Sequence, residues 1–187
     1  ENAAIIATGM KGKVYVIDKS KERLKELHEM FGDKIIPTQS DKADLNKLVS
    51  ECDLLIGGVL IPGAEAPKLV TKKMIKSMKR GSVIVDVAID QGGCVETSKP
   101  TTHANPTFLV NEVVHYCVAN MPGGVPRTST MALNKATLPL LIKLADQGYK
   151  KTLQENKNYL AGLNVYRGKI TCRGVAEAFN YEYFSPE

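Results

Sequence analysis

Short runs of aliphatic and β-branched residues alternate with segments of helical pattern, and this alternation constrains the fold more than any other feature. The clearest runs are residues 13–18 (KVYVID), 53–57 (DLLIG) and 82–87 (SVIVDV), which have almost no polar alternation. Apolar strands of this kind are typical of parallel sheets that helices cover on both faces. The sequence therefore predicts an α/β fold with a doubly wound parallel sheet.

The segments between these runs predict helices from the spacing of their apolar residues. Residues 1–10 and 21–31 have one apolar face each, and Gly32 ends the second helix. Asp41 or Asp44 can cap a helix that runs through residue 49, and Thr71 can cap another. Residues 35–36 and 113–119 are further candidate strands, and residues 91–107 are interpreted as a loop.

The pattern changes after residue 125. A long amphipathic helix is predicted from Thr128, with a kink at Pro139, and a second helical stretch follows it. We therefore predict a sheet domain over residues 1–125 and a C-terminal helical segment over residues 126–187.

Composition and charge argue against several classes of protein. The 187-residue chain is 43% hydrophobic and 24% charged, which is ordinary for a globular protein. No apolar stretch approaches the ~18 residues of a membrane-spanning helix and no secretory signal is recognisable, so we expect a cytoplasmic protein without a membrane partner. The net charge of +5 is spread over helical faces, which argues against nucleic-acid binding. The four cysteines are widely separated and predict no metal site.

Asp18 ends the first apolar run, where a dinucleotide-binding fold has its ribose-binding carboxylate. In such folds that residue follows the glycine-rich phosphate loop by ~20 residues, because a helix and a strand intervene. No G-x-G-x-x-G motif occurs in the chain, and the spacing places the loop at or before residue 1. We therefore expect a partial Rossmann-type sheet without its first strand and glycine loop. Spacing alone leaves a plain helix-capping role open for Asp18.

Three loops follow apolar runs and are predicted to meet at one edge of the sheet. They are residues 59–63 (VLIPG), 88–93 (AIDQGG) and 120–123 (NMPG). The carboxyl edge of an open α/β sheet is where ligands bind. Asp90 in the second loop can exchange protons with a substrate there. The alternative is that it only organises the tight turn that follows it.

Other polar side chains are interpreted as structural. Asp86 lies within a β-branched run, as expected of a hydrogen-bonded carboxylate in the core. The three histidines, His28, His103 and His115, lack metal-ligand spacing. Cys94 has no base beside it that would activate the thiol.

Two long segments carry a resemblance to a known family. Residues 43–98 read ADLNKLVSECDLLIGGVLIPGAEAPKLVTKKMIKSMKRGSVIVDVAIDQGGCVETS, and residues 113–139 read VVHYCVANMPGGVPRTSTMALNKATLP. They resemble alanine dehydrogenases, NAD-dependent enzymes that interconvert L-alanine and pyruvate plus ammonia. The NAD-binding subunit of proton-translocating transhydrogenase has a similar core, but its corresponding loop reads closer to AAENGGN than to AIDQGGC. The loop with Asp90 therefore favours alanine dehydrogenase.

The resemblance implies roles around NAD for individual residues. It implies that Asp18 holds the adenosine ribose, with Arg23 on the adenine side and Ser40 in the adenine pocket. It implies a catalytic acid/base role for Asp90. The remaining cofactor contacts that it implies come from the backbone of Val59 and Leu60 and, on the nicotinamide side, from Ile89, Val118, Asn120 and Met121.

The resemblance also implies what lies outside this chain. L-alanine or pyruvate would bind with an N-terminal substrate domain that the chain lacks, and the C-terminal helices would pack on that domain. The family implies a homo-oligomer, a hexamer. We expect the isolated chain to be inactive. The alternative function is a transhydrogenase-like NAD-binding module that is not catalytic alone.

Overall fold

The computed structural model describes residues 1–41, 43–61 and 63–186. The chain divides into two compact units, Glu1–Glu51 and Cys52–Glu187. Both units combine parallel strands with helices, which confirms the predicted α/β class. None of the helices in the described ranges has the length and apolarity needed to cross a membrane.

The first unit is a two-stranded parallel sheet with three helices. Its elements are α1 (Asn2–Gly9), β1 (Val14–Asp18), α2 (Lys21–Phe31), β2 (Ile35–Gln39) and α3 (Leu45–Glu51). The second helix begins where the Ser20 hydroxyl accepts a hydrogen bond from the Arg23 backbone N–H at 3.1 Å, and it buries Leu24 and Leu27. Asp44 caps α3, because its carboxylate accepts a hydrogen bond from the Lys47 N–H at 3.1 Å.

The second unit contains a four-stranded sheet. Its strands are β3 (Leu54–Gly57), β4 (Val83–Asp86), β5 (Thr107–Val110) and β6 (Val113–Tyr116), and α4 (Lys72–Ser77) connects β3 to β4. The strand order is β3-β4-β6-β5, with β3, β4 and β6 parallel. Ile84 of β4 and Val113 of β6 are fully buried in its core, together with Ile75 of α4.

The edge strand β5 was not predicted. It pairs antiparallel with β6 through a two-residue turn, in which Asn111 and Glu112 have φ angles of 51° and 61°. Two consecutive residues with positive φ form the tight hairpin turn that matches strand twist. Neither residue is glycine, so the usual Asn-Gly or Asp-Gly signal is missing from the sequence.

The C-terminal part is mainly helical, as predicted. It contains α5 (Pro126–Gln147), α6 (Tyr149–Glu155), α7 (Lys157–Ala161) and α8 (Arg173–Phe179), with a short hairpin of β7 (Val165–Tyr166) and β8 (Lys169–Ile170) between α7 and α8. The helix α5 continues on both sides of Pro139 and has no buried residue.

β1 and β3 are among the strands that have an unpaired edge within the described part of the chain. β1 pairs with β2 alone, and β3 pairs with β4 alone. The parallel pair β1-β2 of the first unit and the parallel run β3-β4-β6 of the second unit each agree with part of a doubly wound sheet, in which strands that follow each other in the chain are neighbours.

Candidate functional site

In the first unit, the carboxyl ends of β1 and β2 bring Asp18 and Ser40 together. The Asp18 carboxylate accepts a hydrogen bond through Oδ1 from the Ser20 N–H at 2.9 Å, and its backbone carbonyl accepts one from the Ser40 N–H at 2.9 Å. Both residues are half-buried. Within the described residues Oδ2 of Asp18 accepts no hydrogen bond, so this oxygen can accept one from a ligand hydroxyl.

Arg23, predicted on the adenine side, forms ion pairs within its own unit. Its guanidinium lies 2.6 Å from the Glu1 carboxylate and 2.7 Å from that of Glu26. Hydrogen bonds to Glu26 and to Glu1 raise the pKa of the guanidinium above its ordinary value. A contact between Arg23 and a cofactor would have to share or replace these partners.

In the second unit, Asp90 lies exposed in a 3-10 turn directly after β4. The turn spans Val87–Gln91 and ends at Gly92, whose φ of 86° is in the left-handed region. Gly93 has a φ of 76°, and its N–H donates to the carbonyl of Ala88 at 2.9 Å, which closes the turn. Glycine adopts this conformation at little cost, so the sequence Gly92-Gly93 fixes the tight turn beside Asp90.

The loop after β6 contacts this turn through Asn120. The Asn120 backbone N–H donates to Oδ1 of Asp90 at 3.3 Å. Asn120 itself has a φ of 55°, and its carbonyl is 3.1 Å from Nε2 of His103. The predicted site residues Asp90 and Asn120 are thus brought together, and His103 holds the second of them.

The other predicted nicotinamide-side residues differ in exposure. Val118 is fully buried and Ile89 is 5% exposed, so their side chains belong to the core and a ligand can meet mainly their backbone atoms. Met121 is half-buried at the start of the 3-10 turn Met121–Gly124.

Val59 and Leu60 follow β3 at the carboxyl edge that β3 shares with β4. Val59 is half-buried, whereas Leu60 is 69% exposed. Pro62 of the same predicted loop lies outside the described residues.

Lys68 supports the Asp90 turn, although no motif in the sequence predicts this role. Its Nζ donates to the carbonyls of Gly92 and Gly93, the latter at 2.7 Å. The nearby Ala66 N–H donates to the carbonyl of Gln91 at 2.8 Å. A lysine in a loop gives no recognisable signal for this contact.

Asp86, the last residue of β4, lies at the centre of a buried cluster of hydrogen bonds. It is completely buried, and its carboxylate accepts hydrogen bonds from the backbone N–H of Cys94 at 3.0 Å and of Val95 at 3.2 Å. The Ser98 hydroxyl donates to Oδ2 at 2.6 Å. Burial and the nearby Asp86 carboxylate raise the pKa of the Cys94 thiol to about 12, so this thiol stays protonated. The interpretation of Asp86 as a hydrogen-bonded carboxylate is therefore confirmed.

His115 on β6 is fully buried, and both of its ring nitrogens lie within hydrogen-bond distance of a protein oxygen. Its Nδ1 lies 3.0 Å from the Val113 carbonyl and its Nε2 lies 2.7 Å from the Thr97 hydroxyl. Burial lowers the pKa of the imidazole. In the described part of the chain, no group of three or more His, Cys, Asp or Glu side chains is arranged to hold a metal.

The sequence matches one family model and several curated proteins of known name. The model of the family "Alanine dehydrogenase/PNT, C-terminal domain" matches residues 1–173. The chain is 57% identical to an alanine dehydrogenase of Halomonas elongata over 98% of its own length and 49% of the relative. It is 52% identical to alanine dehydrogenase 2 of Staphylococcus aureus, over 100% of this chain and 50% of that protein. The chain thus spans about half the length of the curated relatives that it matches.

Solved structures agree with these matches. An L-alanine dehydrogenase superposes with a TM-score of 0.81 at 47% identity, over 95% of this chain and 49% of that one. A transhydrogenase from Sinorhizobium meliloti superposes with a TM-score of 0.64 at 27% identity, over 74% of this chain and 39% of that one.

Proposed function

Since the chain belongs to the family of alanine dehydrogenase/PNT C-terminal domains, we propose that it is the NAD-binding part of an L-alanine dehydrogenase. The reaction is the oxidative deamination of L-alanine to pyruvate and ammonia. The other half, corresponding to the remaining length of the relatives, supplies the substrate domain. Residues 1–125 form the cofactor domain in this proposal, and residues 126–187 pack on the substrate domain.

One observation carries the proposal for catalysis. Asp90 is exposed at the carboxyl edge of the sheet in the second unit, and the Asn120 N–H orients its Oδ1. Oxidative deamination removes a proton from the amine and later activates a water molecule that attacks the imine carbon. A carboxylate held in this way has the chemistry to accept a proton in either step.

The chemistry of Asp18 supports NAD as the proposed cofactor. The Oδ2 atom of Asp18 can accept a hydrogen bond from a ribose hydroxyl, with Ser40 beside it. At the nicotinamide end, Asn120 and Met121 and the backbone of Ile89 and Val118 are proposed to line the site. When bound, NAD would supply the acceptor for the hydride that leaves C2 of L-alanine.

The carboxylate of Asp90 is tested by substitution in the natural full-length protein. Asp90→Asn preserves the shape and the hydrogen bond from Asn120, but it cannot accept a proton, so turnover of L-alanine should fall ~100-fold or more. Glu112→Gln is the matched control, because Glu112 is an exposed acid in the turn before β6, at the opposite edge of the sheet. If Asp90→Asn retains near-normal turnover, Asp90 is not the acid/base.

The dependence on the other half is tested with the 187-residue chain itself. It should form no NADH from L-alanine, because groups that bind the substrate carboxylate are proposed to lie in the other half. The full-length protein should be active, and we propose that it forms a homo-oligomer with six subunits. Deamination of L-alanine by the 187-residue chain alone would contradict this division of roles.

The similarity to a transhydrogenase supports a second candidate function. In that case the chain is an NAD-binding module that passes hydride to a partner protein and deaminates no amino acid. Alanine-dependent reduction of NAD by the full-length protein separates the two functions. The Asp90 loop and the higher TM-score of the L-alanine dehydrogenase favour the first.

A further inference from the structure

The chain that follows Asp86 leaves the sheet, forms the turn with Asp90 and returns to the Asp86 carboxylate. On its return, Cys94 and Val95 donate their backbone N–H groups to this carboxylate, and the Ser98 hydroxyl donates to Oδ2 at 2.6 Å. The Cys94 thiol is 3.5 Å from Oδ1. Both ends of the loop that carries Asp90 are therefore fixed at one buried side chain.

The space around Asp86 is closely filled by backbone. A Cβ atom added to Gly93 would lie 2.7 Å from Oδ2 of Asp86, and one added to Gly57 would lie 3.5 Å from Oδ1. A longer or displaced side chain at position 86 would press directly on the strand β3 or on the turn. The position of the carboxylate is thus coupled to the path of the loop.

The groups around the Asp86 carboxylate also contact β3 and the chain after β6. The Cys94 thiol lies against Gly57, the last residue of β3, where an added Cβ atom would collide with its Sγ atom. The Cys117 thiol, just after β6, donates to the Ser98 hydroxyl at 3.6 Å. Asn120, which donates to Asp90, lies three residues beyond Cys117. Contacts around one carboxylate therefore connect the loop that carries Asp90 with the end of β3 and with the chain that leads to Asn120.

We propose that Asp86 is a positioning residue, whose carboxylate holds the loop with Asp90 in its working conformation. It has no contact with solvent, so it acts through the loop and does not react with substrate. Ser98 completes the arrangement by binding Oδ2 from the returning chain. The role in catalysis rests on the proposed function of Asp90.

The decisive substitution is Asp86→Asn in the natural full-length protein. The Asn amide has the same shape as the Asp carboxylate, but one of its two terminal groups is an NH2 donor. This NH2 group cannot accept the hydrogen bonds that the carboxylate oxygen accepts, so the loop loses part of the hydrogen bonds that hold it. Backbone amides of residues 88–93 should then exchange hydrogen about tenfold faster or more, because local opening of the turn becomes easier. The kcat for L-alanine should fall about tenfold or more, while KM and the Kd of NADH change little.

A second variant covers the case in which Asp86→Asn fails to fold. Ser98→Ala removes one hydrogen bond to Oδ2 and leaves the two backbone donors, so we expect the same changes at about fivefold. Thr97→Val is the matched control. It removes a side-chain hydrogen bond from the adjacent residue, but that bond goes to His115 and not to Asp86.

The proposal is overturned if a folded Asp86→Asn protein keeps wild-type exchange in residues 88–93 or a wild-type kcat. It is also overturned if Thr97→Val changes exchange and kcat as much as Ser98→Ala does. The exchange measurement does not involve turnover, so it is independent of the role of Asp90. A loosened turn together with a fully active Asp90→Asn protein would refute the proposed function and still support Asp86 as the group that holds the loop.

Discussion

The backbone N–H of Asn120 lies 3.3 Å from Oδ1 of Asp90, although 30 residues separate them in the chain. Each residue follows a parallel strand, Asp90 after β4 and Asn120 after β6, and these two strands are neighbours in the sheet. The contact therefore follows from the strand order. It fixes the Oδ1 atom of Asp90. The Oδ2 atom has no hydrogen-bond partner within the described residues, so it can exchange a proton with a ligand.

The first prediction concerns the backbone conformation of Asn120. Its φ of 55° is readily adopted by asparagine and glycine, but strained for a β-branched residue. Asn120→Gly should preserve the backbone and the bond to Asp90, whereas Asn120→Val should lower the free energy of unfolding by about 1–2 kcal/mol. Urea unfolding of both variants measures this. Equal stability of the two would show that the left-handed conformation is not required.

The second prediction compares two adjacent glycines after β3. A Cβ atom at Gly57 would collide with Sγ of Cys94, whereas one at Gly58 would have no atom within 4 Å. Gly57→Ala should therefore destabilise the protein by about 1–3 kcal/mol. Gly58→Ala should be neutral or stabilising by up to about 1 kcal/mol, because it restricts the unfolded chain.

Thermal unfolding of both variants provides the comparison. Cys94→Ala removes the sulfur atom, so combining it with Gly57→Ala should recover part of the loss. A Gly57→Ala protein as stable as Gly58→Ala would contradict the close approach of β3 to Cys94.

The strands and helices of the first unit follow from local patterns. Residues 21–31 form α2 with the predicted bounds, because the apolar spacing, the Ser20 cap and Gly32 all agree. β5 escaped prediction, since its turn through Asn111 and Glu112 contains no glycine. Tertiary pairing with β6 stabilises this conformation and overrides the local preference.

Parts of the candidate site could be predicted, because they depend on strand ends. Asp90 and Asn120 were expected at one edge of a parallel sheet, and the structure brings them into contact. The supporting contacts of Lys68 and His103 depend on how separate loops pack, which no spacing encodes. A carboxylate in an apolar strand does indicate that Asp86 is buried and hydrogen-bonded, but the sequence does not show which groups bind it.

The third prediction concerns stability at alkaline pH. The pKa of the buried Cys94 thiol is about 12 against an ordinary value of 9.0, so between these values the unfolded chain releases a proton that the folded protein keeps. Stability contributed by the protonated thiol is therefore complete below pH 9 and is lost as the pH rises toward 12. The loss from this group is up to about 1.4 kcal/mol per pH unit.

The measurement is the free energy of unfolding at several pH values from 8 to about 10.5, for the wild type and Cys94→Ala. The variant has a different stability throughout, so the slopes are compared and not the absolute values. The wild type should lose stability more steeply above pH 9. Parallel slopes would show that Cys94 does not carry this pH dependence.

The last prediction concerns the choice between NAD and NADP by the natural full-length protein. If Asp18 binds the adenosine ribose, its carboxylate accepts a hydrogen bond from the 2′-hydroxyl of NAD and repels the 2′-phosphate of NADP. NADH should then bind roughly 10- to 100-fold more tightly than NADPH, and Asp18→Ala should reduce this ratio by weakening NADH and tolerating NADPH. Asp33→Ala is the matched control, because Asp33 is an exposed acid that precedes β2, at the opposite end of the strands. Fluorescence titration of each protein with both cofactors gives the ratio, and an unmutated protein that binds NADPH as tightly as NADH would refute the role of Asp18.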